Sequence, residues 1–292
     1  MPSTRDIRRR IKSIKSTAQI TKAMQMVASS KMRKAQQAAL SGRPYAALMN
    51  RMLAEVTHHA GDYTDPLFAQ REVRKRAVIL VSTDKGLCGA LNGNLLREAA
   101  RLDSSTTLYI TAGRKAAQFV ARTRRQLAAE FTYKDAPQFA EARAIVKYAQ
   151  DMFLNGDVDQ VDVQFTSFIN TLTQRPTSIQ LLPICEVKAV SSDSRGGAEP
   201  SDLERGITEF LFEPGPADVL GKLLPHYLNF MVFQVLLEAK ASEHSARMVA
   251  MKNATDNAQQ IIKALTLDYN KIRQASITKE LLEISSAAMS LG

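Results

Sequence analysis

The sequence holds only two cysteines, Cys88 and Cys185, far apart and in no CxxC or Cys/His spacing. Neither a disulfide framework nor a zinc site is indicated, and a reducing, cytoplasmic setting fits. The four histidines, His58, His59, His226 and His244, show no HExxH or other ligand spacing, and neighbours such as His58 and His59 point to different faces of a helix. No metal site is expected. GxSxG and any Ser/His/Asp order are absent as well, so hydrolase chemistry has no visible residues to carry it. The basic amino-terminal stretch MPSTRDIRRRIKSIKS lacks the apolar core and small-residue cleavage site of a secretory signal, and export is not expected. Its most apolar run, LLPHYLNFMVFQVLLEA over 223–239, is interrupted by Pro225, His226, Asn229 and Gln234 and falls short of the roughly 20 apolar residues of a spanning helix. The chain reads as soluble, or peripheral to a membrane.

Acid is scarce at one end. Residues 1–45 carry eleven lysines or arginines against the single acid Asp6, which accounts for the whole net charge of +10. Such a block is either a solvated helical face or the mark of an acidic partner, whether nucleic acid, lipid or protein.

What the sequence has in abundance is helical periodicity at both ends. Ser3-Thr4-Arg5-Asp6 has the spacing of an acidic capping box. Ile7, Ile11, Ile14, Ala18, then Ala28, Met32, Ala35 and Ala39 follow in steps of four and three, a heptad seam in which Thr21 and Gln25 also fall. Ile20, Met24 and Val27 keep a neighbouring face apolar. Gly42 and Pro44 weaken this helix without having to end it, so it is predicted to run to about His58. After Glu213-Pro214-Gly215-Pro216 a second helix is predicted almost to the end, with Pro225 a kink or a delayed start. Its seam reads Met251, Ala254, Ala258, Ile261, Leu265, a polar break at Asp268, then Ile272 and Ala275.

Between them the pattern alternates. Turn chemistry at Gly61-Asp62-Tyr63-Thr64-Asp65-Pro66 precedes the continuous apolar run AVILVSTD, read as a buried parallel strand. A Gly-rich turn and the helical GNLLREAARL follow, then the strand TLYITAG, a helix over RKAAQFVARTRRQLAAEF, a helix over 137–155, and the strands VDVQFTSFIN and TSIQLLPI. The hinge SSDSRGGAEPSD, 191–202, sets this domain apart. The fold class is therefore α/β, a long antiparallel coiled coil of amino- and carboxyl-terminal helices with an inserted Rossmann-like α/β domain. Its parts are 1–60, 70–190, a linker and return segment 191–212, and 213–292. At 1.5 Å per residue the two helices span roughly 80 Å and 105 Å, so the second should extend beyond the first. Its last section, ITKELLEISSAAMSLG, is apolar or small on nearly every side and expects enclosure by another protein.

The strand-to-helix turn Asp84-Lys85-Gly86-Leu87-Cys88-Gly89-Ala90-Leu91-Asn92-Gly93 sits where phosphate loops sit, yet it is neither GxGxxG nor GK[ST]. A structural turn, with Cys88 a packed thiol, is favoured over a nucleotide site. Two further readings stay in competition: a nucleotide-binding enzyme over 70–190 with helical oligomerisation arms, and a basic first helix that reads nucleic acid or anionic lipid.

IKSIKSTAQITKAMQMVASSKMRKAQ near the start, STDKGLCGALN in the middle, and SEHSARMVAMKNATDNA with YNKIRQASITKELLEIS near the end occur in the order and spacing of one known family. Together they resemble the γ subunits of F-type rotary ATP synthases, in the bacterial form, across the whole chain. The redox insertion with paired cysteines seen in chloroplast γ subunits is missing, so thiol control is not expected. The resemblance implies a non-catalytic rotor shaft without cofactor, metal or small-molecule substrate of its own, and without nucleic acid. Its coiled coil would stand in a hexameric ring of α and β subunits, where catalysis belongs. Its globular domain would contact the ε subunit and the c-ring, at the cytoplasmic face of the bacterial inner membrane. Turning, the asymmetric coil would shift successive β sites through open, loose and tight states.

The resemblance also assigns residues. Met24 is placed opposite Arg247, Gln274 and Thr278, a group that holds the two helices in working register. Arg273 and Gln274 would meet a loop of the ring. Lys15, Lys22, Lys31, Arg33 and Lys34 are candidates for an acidic loop of the β subunits, through attractions that are modest per pair and screened by salt.

Overall fold

A computed structural model describes residues 4–59, 65–184, 213 and 215–291. Expectations resting on Ser3, on the turn at 61–64, on Cys185, on the linker and hinge across 191–212 and on Pro214 lie outside the described residues. The chain divides into two compact units, Met1–Ser29 with Arg247–Gly292, and Ser30–Ala246. The division cuts both terminal helices, α1 (Thr4–Ser41) and the carboxyl-terminal α6 (Pro216–Leu291), instead of following the ends of the α/β segment.

The unit Ser30–Ala246 is built on a five-stranded sheet, β1 (Arg76–Val81), β2 (Thr107–Ala112), β3 (Gln126–Phe131), β4 (Gln160–Phe168) and β5 (Gln174–Leu182), in the order β3-β2-β1-β4-β5. Its first four strands run parallel, and β5 returns antiparallel to β4. Ala77 to Val81 are all buried because helices cover both faces of the central strand, which is why that run has no polar alternation. Leu95 and Ala99 of α3 (Leu91–Ala100) and Ala116 and Val120 of α4 (Arg114–Arg122) pack on Val78, Leu80 and Tyr109. The opposite face belongs to a larger core shared by α2 (Arg43–His59), α5 (Phe139–Leu154) and the first third of α6. Leu224, Leu228, Val232, Val235 and Leu236 sit in that core, so the most apolar run of the sequence is a core helix laid on a sheet. Each such side chain contributes about 1.5–3 kcal/mol by burial.

Three expectations change in this unit. RKAAQFVARTRRQLAAEF is not one helix: α4 stops at Arg122, and QLAAEF forms the edge strand β3. The Thr123 hydroxyl donates to the Phe119 carbonyl, Arg124 turns at φ 53°, and the Arg125 guanidinium donates to the Leu102 and Ala100 carbonyls and the Tyr109 hydroxyl. Pairing with β2 thus overrides the helix propensity of Leu-Ala-Ala-Glu. The first helix does reach His59, but it is interrupted at Gly42, where an added Cβ would lie 2.9 Å from Gln234 Oε1. Pro225, by contrast, neither delays nor divides α6, which runs for 76 residues.

In the other unit α1 and α6 pair antiparallel. Thr21 Oγ1 lies 2.7 Å from Thr255 Oγ1, and the Arg8 guanidinium donates to the Tyr269 hydroxyl. The α1 seam is the one its spacing predicts, with Ile7, Thr21 and Ala28 buried and Ile11, Ile14, Ala18 and Gln25 half-buried. The α6 seam differs. Met251, Thr255 and Ala258 are buried, Ile262, Leu265, Tyr269 and Ile272 half-buried, whereas Ile261, Asp268 and Ala275 are exposed. Steps of four and three counted from Met251 select Thr255, Ile262 and Tyr269, so the seam has no polar break at Asp268. Ile20 and Val27 are more than half exposed and form no second packed stripe.

Gly113 shows how tightly the sheet is closed. It sits at φ +105°, and an added Cβ would lie 2.3 Å from the Ser82 carbonyl oxygen. Gly113→Ala is expected to destabilise the chain by more than about 2 kcal/mol, read from the urea unfolding midpoint.

Candidate functional site: the helix pair and its anchorage

The turn after β1 is the place to look for a ligand, because the strand order reverses between β1 and β4. Its first residues reach across to the start of α4, which follows β2. Asp84 Oδ1 accepts the Arg114 N–H at 3.0 Å, Ser82 Oγ accepts the Ala116 N–H at 2.7 Å, and the Thr83 carbonyl accepts the Lys115 N–H at 3.1 Å. A carboxylate therefore occupies the start of α4, where a bound phosphate would need free N–H groups. Asn92 Nδ2 donates to Thr83 Oγ1 at 2.7 Å and to the buried Cys88 Sγ at 3.3 Å. These contacts tie the turn to the start of α4 and to Asn92 of α3.

The helix pair carries the residues that the sequence singled out. Lys15 and Lys22 are exposed, and Lys22 lines a shallow groove with Ala18, Met26, Thr255, Asp256 and Gln259. Met24 is half-buried beside the seam residue Gln25, and Arg247 is half-buried about one turn before Met251. Gln274 and Thr278 are not brought to Met24. With Thr21 facing Thr255, Gln274 lies roughly 30 Å further along α6. Arg273, Gln274 and Thr278 are exposed, and the Thr278 hydroxyl donates to the Gln274 carbonyl of its own helix at 2.9 Å. Ile277, Leu281, Leu282 and Ile284 follow, each about half exposed or more.

In the unit Ser30–Ala246, Arg33 and Lys34 are exposed, while Lys31 is paired with Asp135 of the β3–α5 loop. This pair adjoins charges that sequence reasoning missed. Lys240 is 1% exposed, its Nζ 3.0 Å from Glu243 Oε2 and 3.8 Å from Asp135 Oδ1. The ammonium also lies 4.5 Å from the centre of the Tyr133 ring. The hydrogen bond from Lys31, reinforced by the Lys240 charge, holds the Asp135 carboxyl below the usual range against partial burial. Burial first, then the carboxylates around it, pushes the Tyr133 phenol well above its ordinary value, so it stays protonated and donates to the Ser82 carbonyl at 2.9 Å. One turn away, Glu238 accepts from the Ser167 hydroxyl at 2.6 Å and the Phe168 N–H at 3.1 Å, and the Ser245 hydroxyl donates to the Thr171 carbonyl at 2.8 Å. A signal was present for Lys240 and Glu243, charges three residues apart just after an apolar core run. For Asp135, in a loop, there was none.

An antiparallel pair of long terminal helices and a five-stranded α/β unit inserted between them in the sequence define the class of protein. The ATP synthase family model matches residues 3–291. An ATP synthase gamma chain of Opitutus terrae is 52% identical over 98% of both chains, and one of Methylacidiphilum infernorum is 44% identical over the full length of both. The chain belongs to the ATP synthase gamma chain family. Among solved structures, the fold matches chains of Euglena gracilis mitochondrial ATP synthase. One, from the rotor, has a TM-score of 0.67 at 18% identity, covering 94% of this chain and 98% of that one. Another, from an assembly of OSCP, F1 and c-ring, has a TM-score of 0.72 at 18% identity, covering 99% and 94%.

The hydroxyl pair at the seam gives a direct test of the observed register. Thr21→Val or Thr255→Val alone leaves a hydroxyl facing a methyl group and should cost about 1–2 kcal/mol, whereas the double substitution should come close to the parent. Thermal melting of the four proteins checks this.

Proposed function

We propose that this chain is the central-stalk rotor subunit of an F-type ATP synthase, coupling proton-driven rotation of a c-ring to ATP synthesis or hydrolysis at sites on the β subunits. The observation that carries the reading is the carboxyl-terminal third of α6. Beyond Ile272 no α1 residue remains to face it, yet Ile277, Leu281, Leu282 and Ile284 are exposed on it. Apolar surface of this extent on a helix is a binding surface in waiting, and a ring of α and β subunits would enclose it. The chain itself is non-catalytic in this reading, catalysis belonging to the ring of α and β subunits. The α/β domain contacts the ε subunit and the c-ring, so the protein sits at the cytoplasmic face of the membrane, held there through its partners.

Within the pair, Met24 and Arg247 act as coupling residues at the level of the seam, and Arg273, Gln274 and Thr278 as contacts of the ring further along α6. The exposed cations Lys15, Lys22, Arg33 and Lys34 face an acidic loop of the β subunits. Lys31 has less to offer such a loop, since its ammonium is engaged by Asp135.

Mixed with purified α and β subunits, the chain is expected to restore ATP hydrolysis that it lacks alone. Failure to co-assemble would refute the rotor reading. Met24→Lys adds a cation to a stretch that already carries Lys22, Arg247 and Lys252, and should impair coupling more than assembly. Protons pumped per ATP hydrolysed in inverted membrane vesicles should fall while the variant still co-purifies with α and β; an unchanged ratio would remove Met24 from the coupling residues.

A further inference from the structure

In the unit Ser30–Ala246, α1, α6 and the sheet meet at one cluster of charges. Lys31 comes from α1, Lys240 and Glu243 from α6, and Asp135 stands between the two lysines. The contacts continue from Lys240 to the Tyr133 ring, from the Tyr133 hydroxyl to the Ser82 carbonyl at the end of β1, and from Ser82 Oγ to the Ala116 N–H of α4. Each helix is thereby tied to the central strand through one loop. Lys31 and Glu243 also lie within a few residues of the points, Ser29/Ser30 and Ala246/Arg247, at which α1 and α6 pass into the other unit.

Adhesion does not account for this cluster. The apolar side chains from Leu220 to Leu236 already seat α6 on the sheet, and a buried ion pair adds little net stability over well-packed apolar residues of the same volume. Direction is what it adds. Apolar contact is non-directional and tolerates a helix turning about its own axis, whereas charge-assisted hydrogen bonds at fixed distances do not. A load that twists the helices against the domain would act on that angle.

We propose that Lys31, Asp135, Lys240 and Glu243 form a torsional lock, positioning residues that fix the angular register of α1 and α6 on the α/β domain so that torque passes between the domain and the helices. This rests on the rotor reading above. The lock is a stiffness element and takes no part in nucleotide chemistry.

The test uses the full chain assembled with α and β subunits, immobilised through the ring, with a bead on the α/β domain through Arg122→Cys in a Cys185→Ser background. Asp135→Asn and Lys240→Met each remove part of the lock. Each removes two of the three charge contacts, so the variance of bead angle during a catalytic pause should rise roughly two- to threefold, while unloaded ATP hydrolysis stays at the parent rate. Lys240→Arg, which keeps the charge, should recover most of the stiffness, a rescue that a merely structural lysine would not require. Combining Asp135→Asn with Lys240→Met should give less than the product of the single effects. Parent-like variance in Asp135→Asn overturns the proposal. Asp135 is partly exposed, so that variant carries the test even if Lys240→Met fails to fold. Failure of the parent chain to assemble with α and β would refute the rotor reading instead, and with it the basis of the lock.

Discussion

The backbone of α6 imposes the main constraint on this molecule: one uninterrupted helix has to satisfy three different surroundings in succession. Helical hydrogen bonds keep its axis continuous, so side-chain chemistry alone must change along it. Over its first third it is broadly apolar and lies in a core on the sheet. At Lys240 to Ser245 it becomes mostly polar while staying buried. From Met251 it narrows to a single seam, and after Ile272 its side chains are exposed among the described residues. Each change of composition is a change of neighbour.

This explains what could be read from the sequence. Heptad steps are a local signal, so Ile7 through Ala28 could be assigned to a buried stripe directly. The AVILV strand was equally plain, since only a strand covered on both faces dispenses with polar positions. The resemblance then supplied the family, which composition and spacing alone would not have reached.

What escaped depended on contacts between distant parts of the chain. QLAAEF reads as helix by propensity, and only the place beside β2 with the reach of Arg125 makes it a strand. Ile261 and Ile262 are indistinguishable by composition, and the choice between them is made by Thr255 meeting Thr21. Lys31 looked like one more solvated cation of a basic helix because Asp135, the residue that engages it, is far off in sequence. The grouping of Met24 with Gln274 and Thr278 likewise fails in space because α6 carries those two residues well past the seam.

The closure at the end of β1 has a consequence of its own. Asp84 and Ser82 bond to the start of α4, and Gly113 closes on the Ser82 carbonyl, so the ends of β1 and β2 are joined by the protein's own atoms. Two neighbouring strands fastened at their ends in this way turn as one piece.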